Sequence, residues 1–94
     1  MNVSVDKLSN TSIGVQVQPN PAHESCQLVI NSKKQETATI QLFNTLGQSV
    51  LSQKIELLVG KTEQGVDLKD LPVGVYRILV TTERSRVIET LMVY

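Results

Sequence analysis

Short runs of β-branched and aliphatic residues recur along this chain at intervals close to the about 8–12 residues typical of two-sheet β-proteins. No stretch keeps an unbroken apolar period of about 3.6 residues, so helix is expected to be a minor component. The runs are IGVQVQ (13–18), CQLVI (26–30), TATIQLFN (37–44), SVLSQKI (49–55), a weaker EQGVDL (63–68), VYRILVTT (75–82) and RVIETLMVY (86–94). Ile13, Val15 and Val17 alternate with Gly14, Gln16 and Gln18, and Ala38, Ile40 and Leu42 alternate with Thr39, Gln41 and Phe43. Period-two alternation marks antiparallel strands with one face buried. Polar, proline-bearing or glycine-bearing gaps separate the runs. Pro19-Asn20-Pro21 ends the first run because neither proline can donate to a ladder, and Thr45-Leu46-Gly47-Gln48 is short enough for a hairpin.

Residues 68–76, LKDLPVGVY, sharpen the architecture. Pro72 and Gly74 occupy the second and fourth places of a type I turn spanning Leu71–Gly74, where proline presets φ and glycine is favoured at the exit. Tyr76 then opens a strand, the position of a tyrosine corner whose ring packs inward while its hydroxyl bonds the backbone just upstream. That device belongs to two-sheet sandwiches. The expected fold is therefore all-β: an immunoglobulin-like antiparallel β-sandwich of about seven strands, occupying residues 13–94 and preceded by a polar linker or tail over 1–12. In the final run Val87, Leu91 and Val93 share a face with Glu89. Either this is an edge strand on which Glu89 discourages intermolecular pairing, the reading favoured here, or a bulge near Glu89-Thr90 switches faces.

The chain has no Trp, one Phe and two Tyr, so its interior must be built from Val, Ile and Leu. Its 94 residues suit one domain, with a modest margin, because domains this small bury only about 60–65% of their unfolded surface. Nine basic and nine acidic residues cancel, and no run of like charge exceeds two residues. The electrostatic footprint of nucleic-acid binding is missing. The longest apolar stretch falls far short of the roughly 18 residues that span a bilayer, and MNVSVDKLSN lacks the regions of a signal peptide. If Met1 is a start residue added to a fragment, the natural chain extends further at its amino end. Cys26 is the lone cysteine, so no internal disulfide is expected.

Chemistry is sparse. His23 is the only histidine and lies three residues from Cys26, which allows a Cys-His pair or half of a metal site. Zinc takes three or four protein ligands and no second cluster exists, so a loop histidine and a small buried thiol account better for both. The carboxylates are scattered through turns and solvent-facing positions, without a pair in an apolar setting that would separate two pKa values. The five glycines form no phosphate-cradling loop, and turn chemistry is expected to explain them. Asn2-Val3-Ser4 and Asn10-Thr11-Ser12 match the glycosylation acceptor pattern, which carries meaning only on a eukaryotic secretory route. No catalytic residue, cofactor, metal or small-molecule substrate is expected.

In order, VQVQPNPA (15–22), TIQLFNTLGQSVLSQKI (39–55), VDLKDLPVGVYRILVTT (66–82) and a short strand reaching the carboxyl terminus resemble the type A C-terminal sorting domain of the type IX (Por) secretion system. The resemblance covers about residues 13–94, and its strength lies in the series of PNP, LGQ and L-x-x-L-P-x-G-x-Y rather than in any one of them. It implies an address rather than a catalyst. Such domains end larger proteins of Bacteroidetes-type bacteria, cross the inner membrane with their cargo by the Sec route and fold in the periplasm. The outer-membrane translocon then recognises them, and a surface sortase usually removes the domain and attaches the cargo to an anionic lipopolysaccharide.

On this resemblance Pro19, Asn20, Pro21, Gly47, Leu71, Pro72, Gly74 and Tyr76 match the family's motifs, and Leu91, Met92, Val93 and Tyr94 fall in the region needed for export. Cleavage would fall in or before residues 1–12. The family commonly has glycine in the last hairpin, where this chain has Thr82-Glu83-Arg84-Ser85. Turn geometry and a corner hydrogen bond account for Pro72, Gly74 and Tyr76 as framework, so recognition is expected at an exposed edge, with strand 86–94 the candidate. Exposed edges also suggest a homodimer. The alternatives are a fibronectin III-like or other immunoglobulin-like adhesion module, which leaves PNP and LGQ unexplained, and an accessory β-domain stabilising an upstream hydrolase.

Overall fold

The computed structural model describes residues 13–94. The linker expected over 1–12, and the triplets at Asn2 and Asn10, lie outside the described residues. Seven strands follow one another: β1 (Ile13–Gln18), β2 (Ser25–Ser32), β3 (Glu36–Phe43), β4 (Ser49–Leu57), β5 (Gly60–Asp67), β6 (Gly74–Thr81) and β7 (Arg86–Val93). They form two antiparallel sheets, one ordered β1-β2-β5 and the other β4-β3-β6-β7. This is the seven-stranded sandwich that the run spacing predicts.

The core lies between the sheets and is aliphatic. Leu28 and Ile30 from the smaller sheet meet Ile40, Leu42, Ile78, Val80 and Leu91 from the larger one, all fully buried. Each such side chain contributes roughly 1.5–3 kcal/mol relative to exposure. Ala38, Ile40 and Leu42 face inward, as their alternation requires.

β5 is longer than its sequence suggests, beginning at Gly60 rather than Glu63. It pairs only with β2 and buries only Val66 within the strand, so its polar run GKTEQG carries little apolar signal. Gly60, at φ 95°, starts the strand in a conformation that side chains avoid. Gly14 and Gly65 lie inside strands, so turn chemistry does not account for them.

The reversal before β6 is also displaced. The Leu71 amide donates to the Leu68 carbonyl at 3.0 Å, which places the hydrogen-bonded turn at Leu68–Leu71 instead of Leu71–Gly74. Asp67, at the end of β5, starts it by accepting the Lys69 amide at 3.0 Å. Pro72 lacks an N–H and simply leads the chain into β6.

β7 is an edge strand. Its register against β6 runs without interruption from Gly74 opposite Val93 to Thr81 opposite Arg86. Glu89 therefore stays on the inward side, half-buried opposite Ile78, and no bulge moves it. The register shift in this sheet sits between Leu42 and Phe43, where β3 meets β4. The β6–β7 hairpin closes without glycine: the Thr82 amide donates to the Ser85 carbonyl at 2.9 Å, and the Ser85 amide donates to Thr82 Oγ1 at 3.0 Å.

Candidate functional site

The antiparallel order brings the ends of β1, β3, β5 and β7 and the starts of β2, β4 and β6 to one pole of the sandwich. All the motif segments singled out in the sequence arrive there: Pro19–Pro21 after β1, Gly47 between β3 and β4, Leu71–Tyr76 at the entry to β6, and Leu91–Tyr94 at the end of β7. Their order along the chain says nothing of this meeting. Register does: Gly74 faces Val93, Val75 faces Met92 and Tyr76 faces Leu91.

Tyr76 forms the expected corner. Its ring is buried, 4% exposed, and its hydroxyl donates to the Pro72 carbonyl at 2.5 Å. The bond ties the loop before β6 to the core. Leu71 packs against the core beside it.

The 44–48 hairpin is built around a residue that the motif reading passed over. Asn44 Oδ1 accepts the amides of Leu46 at 2.9 Å and Gln48 at 3.0 Å, while its Nδ2 donates to Gln48 Oε1 at 2.9 Å. The Gly47 amide donates to the Asn44 carbonyl at 3.0 Å, and Gly47 has φ 82°. This is a type I turn followed by a left-handed residue, which requires asparagine or its like first and glycine fourth. Asn44 three residues before Gly47 was the signal. Leu46 is left at the tip, 81% exposed.

The PNP segment, with both X-Pro bonds cis, lies along the outer edge of β7. Asn20 Nδ2 donates to the Thr90 carbonyl at 2.9 Å, and its Oδ1 accepts the Met92 amide at 3.2 Å. One side-chain amide thus pairs with a strand as a backbone peptide would, satisfying one acceptor and one donor. Ala22, fully buried, continues the pairing: its amide donates to the Met92 carbonyl at 2.8 Å, and its carbonyl accepts the Tyr94 amide at 2.9 Å. His23 stacks on the Tyr94 ring, centroids 5.0 Å apart, and its Nδ1 contacts the Tyr94 carbonyl oxygen. Residues 20–23 therefore clasp the carboxyl-terminal half of β7.

The edge expected to be open over 86–94 is accordingly covered along its second half by residues 20–23. Of the terminal residues, Leu91 and Val93 are core, whereas Met92 and Tyr94 are displayed. The clasp draws on Ala22 and His23 as well, which were not among the residues singled out for the site.

His23 and Cys26 do different work: the first stacks outside, and the second is buried, with burial pushing its thiol pKa up. Among the described residues no group of three His, Cys, Asp or Glu side chains is placed to hold a metal ion. Among those residues the one ion pair, Lys61 with Glu63 at 3.5 Å, is exposed on the far sheet, a setting worth little to stability.

The sequence pattern of the secretion system C-terminal sorting domain matches residues 16–94. The chain belongs to that family. The sorting-domain pattern thus spans all the motif segments gathered at the pole. Among solved structures, the chain is similar to part of dimeric latent PorU from Porphyromonas gingivalis, with a TM-score of 0.67 at 19% identity, covering 86% of this chain and 9% of that one. It is also similar to part of a β-glucuronidase from glycoside hydrolase family 2, with a TM-score of 0.51 at 11% identity, covering 87% of this chain and 11% of that one. Both are likenesses of fold, and the chain spans only a small part of either protein. A search of curated proteins finds no match.

Proposed function

We propose that residues 13–94 form the sorting domain itself, joined through residues 1–12 to an upstream cargo, and that they direct that cargo from the periplasm across the outer membrane through the type IX translocon. The family match over residues 16–94 carries this reading. A sortase then removes the domain at the 1–12 segment, leaving the cargo attached at the cell surface. The domain is the address, and the chemistry belongs to the translocon, the sortase and the cargo.

Within it, Pro19, Asn20, Pro21, Gly47, Leu71, Pro72, Gly74 and Tyr76 shape the pole, Leu91 and Val93 fix the last strand to the core, and Met92 and Tyr94 are presented to the machinery. The clasp supports this division, because it holds the final residues in one conformation for a receptor to read. Edge strands also give the domain a route to a homodimer, measurable by light scattering across a concentration series.

Deleting residues 13–94 from the parent protein tests the proposal. A sorting domain leaves active cargo trapped in the periplasm. Normal export with lost adhesion, or export of an unstable enzyme, would each overturn it.

A further inference from the structure

The margins of the sandwich are unequally covered. On one side β1 packs against β7, and residues 20–23 lie along the second half of β7. On the other side β4 and β5 end their sheets, β4 pairing only with β3 and β5 only with β2. The inward side chains of β4, Leu51, Gln53 and Ile55, are half-buried, whereas Leu42, Ile40 and Ala38 opposite them on β3 are fully buried. The inner face of β4 is therefore left partly uncovered.

The register fixes which backbone groups this margin offers. Peptide groups of successive strand residues point to alternate sides. Thr90 and Met92 turn theirs away from β6, to Asn20 and Ala22. Leu91 therefore turns its own to Tyr76, and Arg77 and Leu79 face β3. Their partners there are Phe43 and Gln41, which leaves Ile40 and Ala38 bonded to Gln53 and Ile55 of β4. Ser52, Lys54 and Glu56 then direct their N–H and C=O groups outward, where among the described residues no strand meets them.

Lys54 and Glu56 also project together from the exposed face of β4. Among the described residues Lys54 is in no ion pair, and Glu56 has one carboxylate oxygen on Thr37 Oγ1 at 3.1 Å, with the other left over. A second copy of β4 pairing antiparallel must set outward-turned residues opposite one another, so the two-fold axis passes through a residue of β4 and its counterpart. Centred on Lys54 it opposes lysine to lysine, and centred on Gln53 it sets Lys54 opposite Ser52. Centred on Ile55 it sets Lys54 opposite Glu56 twice and Ile55 against Ile55. β5 has the same spacing in Lys61 and Glu63, but these two pair with each other at 3.5 Å and flank Thr62.

We propose that two copies of this chain join edge to edge through β4, antiparallel about Ile55, turning two four-stranded sheets into one continuous sheet. Lys54 of each copy exchanges backbone hydrogen bonds with Glu56 of the other, and their side chains form an ion pair at each end of the seam. Ile55 meets Ile55 on the inner face and covers what the single chain leaves half-exposed. The proposal rests on the homodimer reading and gives that dimer its seam.

Sedimentation of the full chain across a concentration series reads the dimer. Lys54→Glu sets carboxylate against carboxylate at both ends of the seam and is expected to weaken dimerisation about tenfold. Glu56→Lys, which sets lysine against lysine, is expected to do the same. Both positions are exposed, and unchanged thermal unfolding checks that each variant keeps its fold. Mixing the two variants, or exchanging both residues in one chain as Lys54→Glu/Glu56→Lys, is expected to restore the dimer. Lys61→Glu, the same change on β5, is expected to leave it unaltered. In the parent chain the Lys54 and Glu56 amides should exchange with solvent more slowly as concentration rises. A dimer that is indifferent to Lys54→Glu, is not restored by the double exchange, or is lost with Lys61→Glu overturns this seam and leaves the homodimer standing. A monomer at every concentration removes both.

Discussion

Asn20 and Thr90, 70 positions apart in sequence, are joined by a 2.9 Å hydrogen bond from side chain to backbone. The same amide group also receives the Met92 amide. Removing it with Asn20→Ala leaves two strand groups to water, and the expected cost is about 1 kcal/mol in urea unfolding. Asn20→Asp is expected to cost more, since it replaces the donor with an oxygen facing the Thr90 carbonyl. In both variants the Met92 amide should exchange with solvent faster than in the parent while Ile78 and Val80 keep their protection. Unchanged exchange at Met92 would show that the clasp is not held by Asn20.

Tyr76→Phe keeps the buried ring and deletes the hydroxyl that reaches the Pro72 carbonyl. The expected loss is about 1–1.5 kcal/mol, read as a lower urea midpoint at unchanged m-value. Tyr76→Ala also empties core volume and should cost about 3–5 kcal/mol.

Two glycines should respond with opposite signs. Gly47 has φ 82°, so Gly47→Ala strains the hairpin and is expected to lower stability by about 1 kcal/mol. Gly65 lies in the middle of β5 with open space where a Cβ would stand, and Gly65→Thr is expected to raise stability by about 0.5 kcal/mol. Thermal unfolding of the two variants beside the parent decides both.

Burial raises the Cys26 thiol pKa above the ordinary range of a thiol. The folded state thus holds this proton more tightly than the unfolded one, and the associated stability is fully present below the unfolded pKa and lost as pH rises through the folded one. Stability should fall above about pH 8.5, the range in which an unfolded thiol ionises. Cys26→Ala should flatten that fall. Urea midpoints measured from pH 7 to 10 test it.

Alternation and turn chemistry made most of the fold legible, because they record which face each strand buries. Ile40 and Leu42 mark the inner face of β3 without ambiguity. The failures lie where burial is weak or local bonds compete. β5 is nearly polar and buries only Val66 within the strand, so its alternation leaves little apolar signal. The turn before β6 moved because the side chain of Asp67 offered its carboxylate to the backbone earlier than Pro72 could act. For the site, the motif residues could be named singly, yet their gathering at one pole depends on the antiparallel order of both sheets. The clasp by residues 20–23 is least visible, since Ala22 and His23 act through backbone groups and ring stacking that no short pattern encodes.

The measurement closest to the central claim is the location of a stable reporter fused ahead of residues 1–94, in cells with a working type IX translocon and in otherwise identical cells lacking it. Surface or extracellular reporter is expected only in the first, and periplasmic reporter in the second and whenever the domain is omitted. Equal export from both strains, or export of the reporter without the domain, would contradict it.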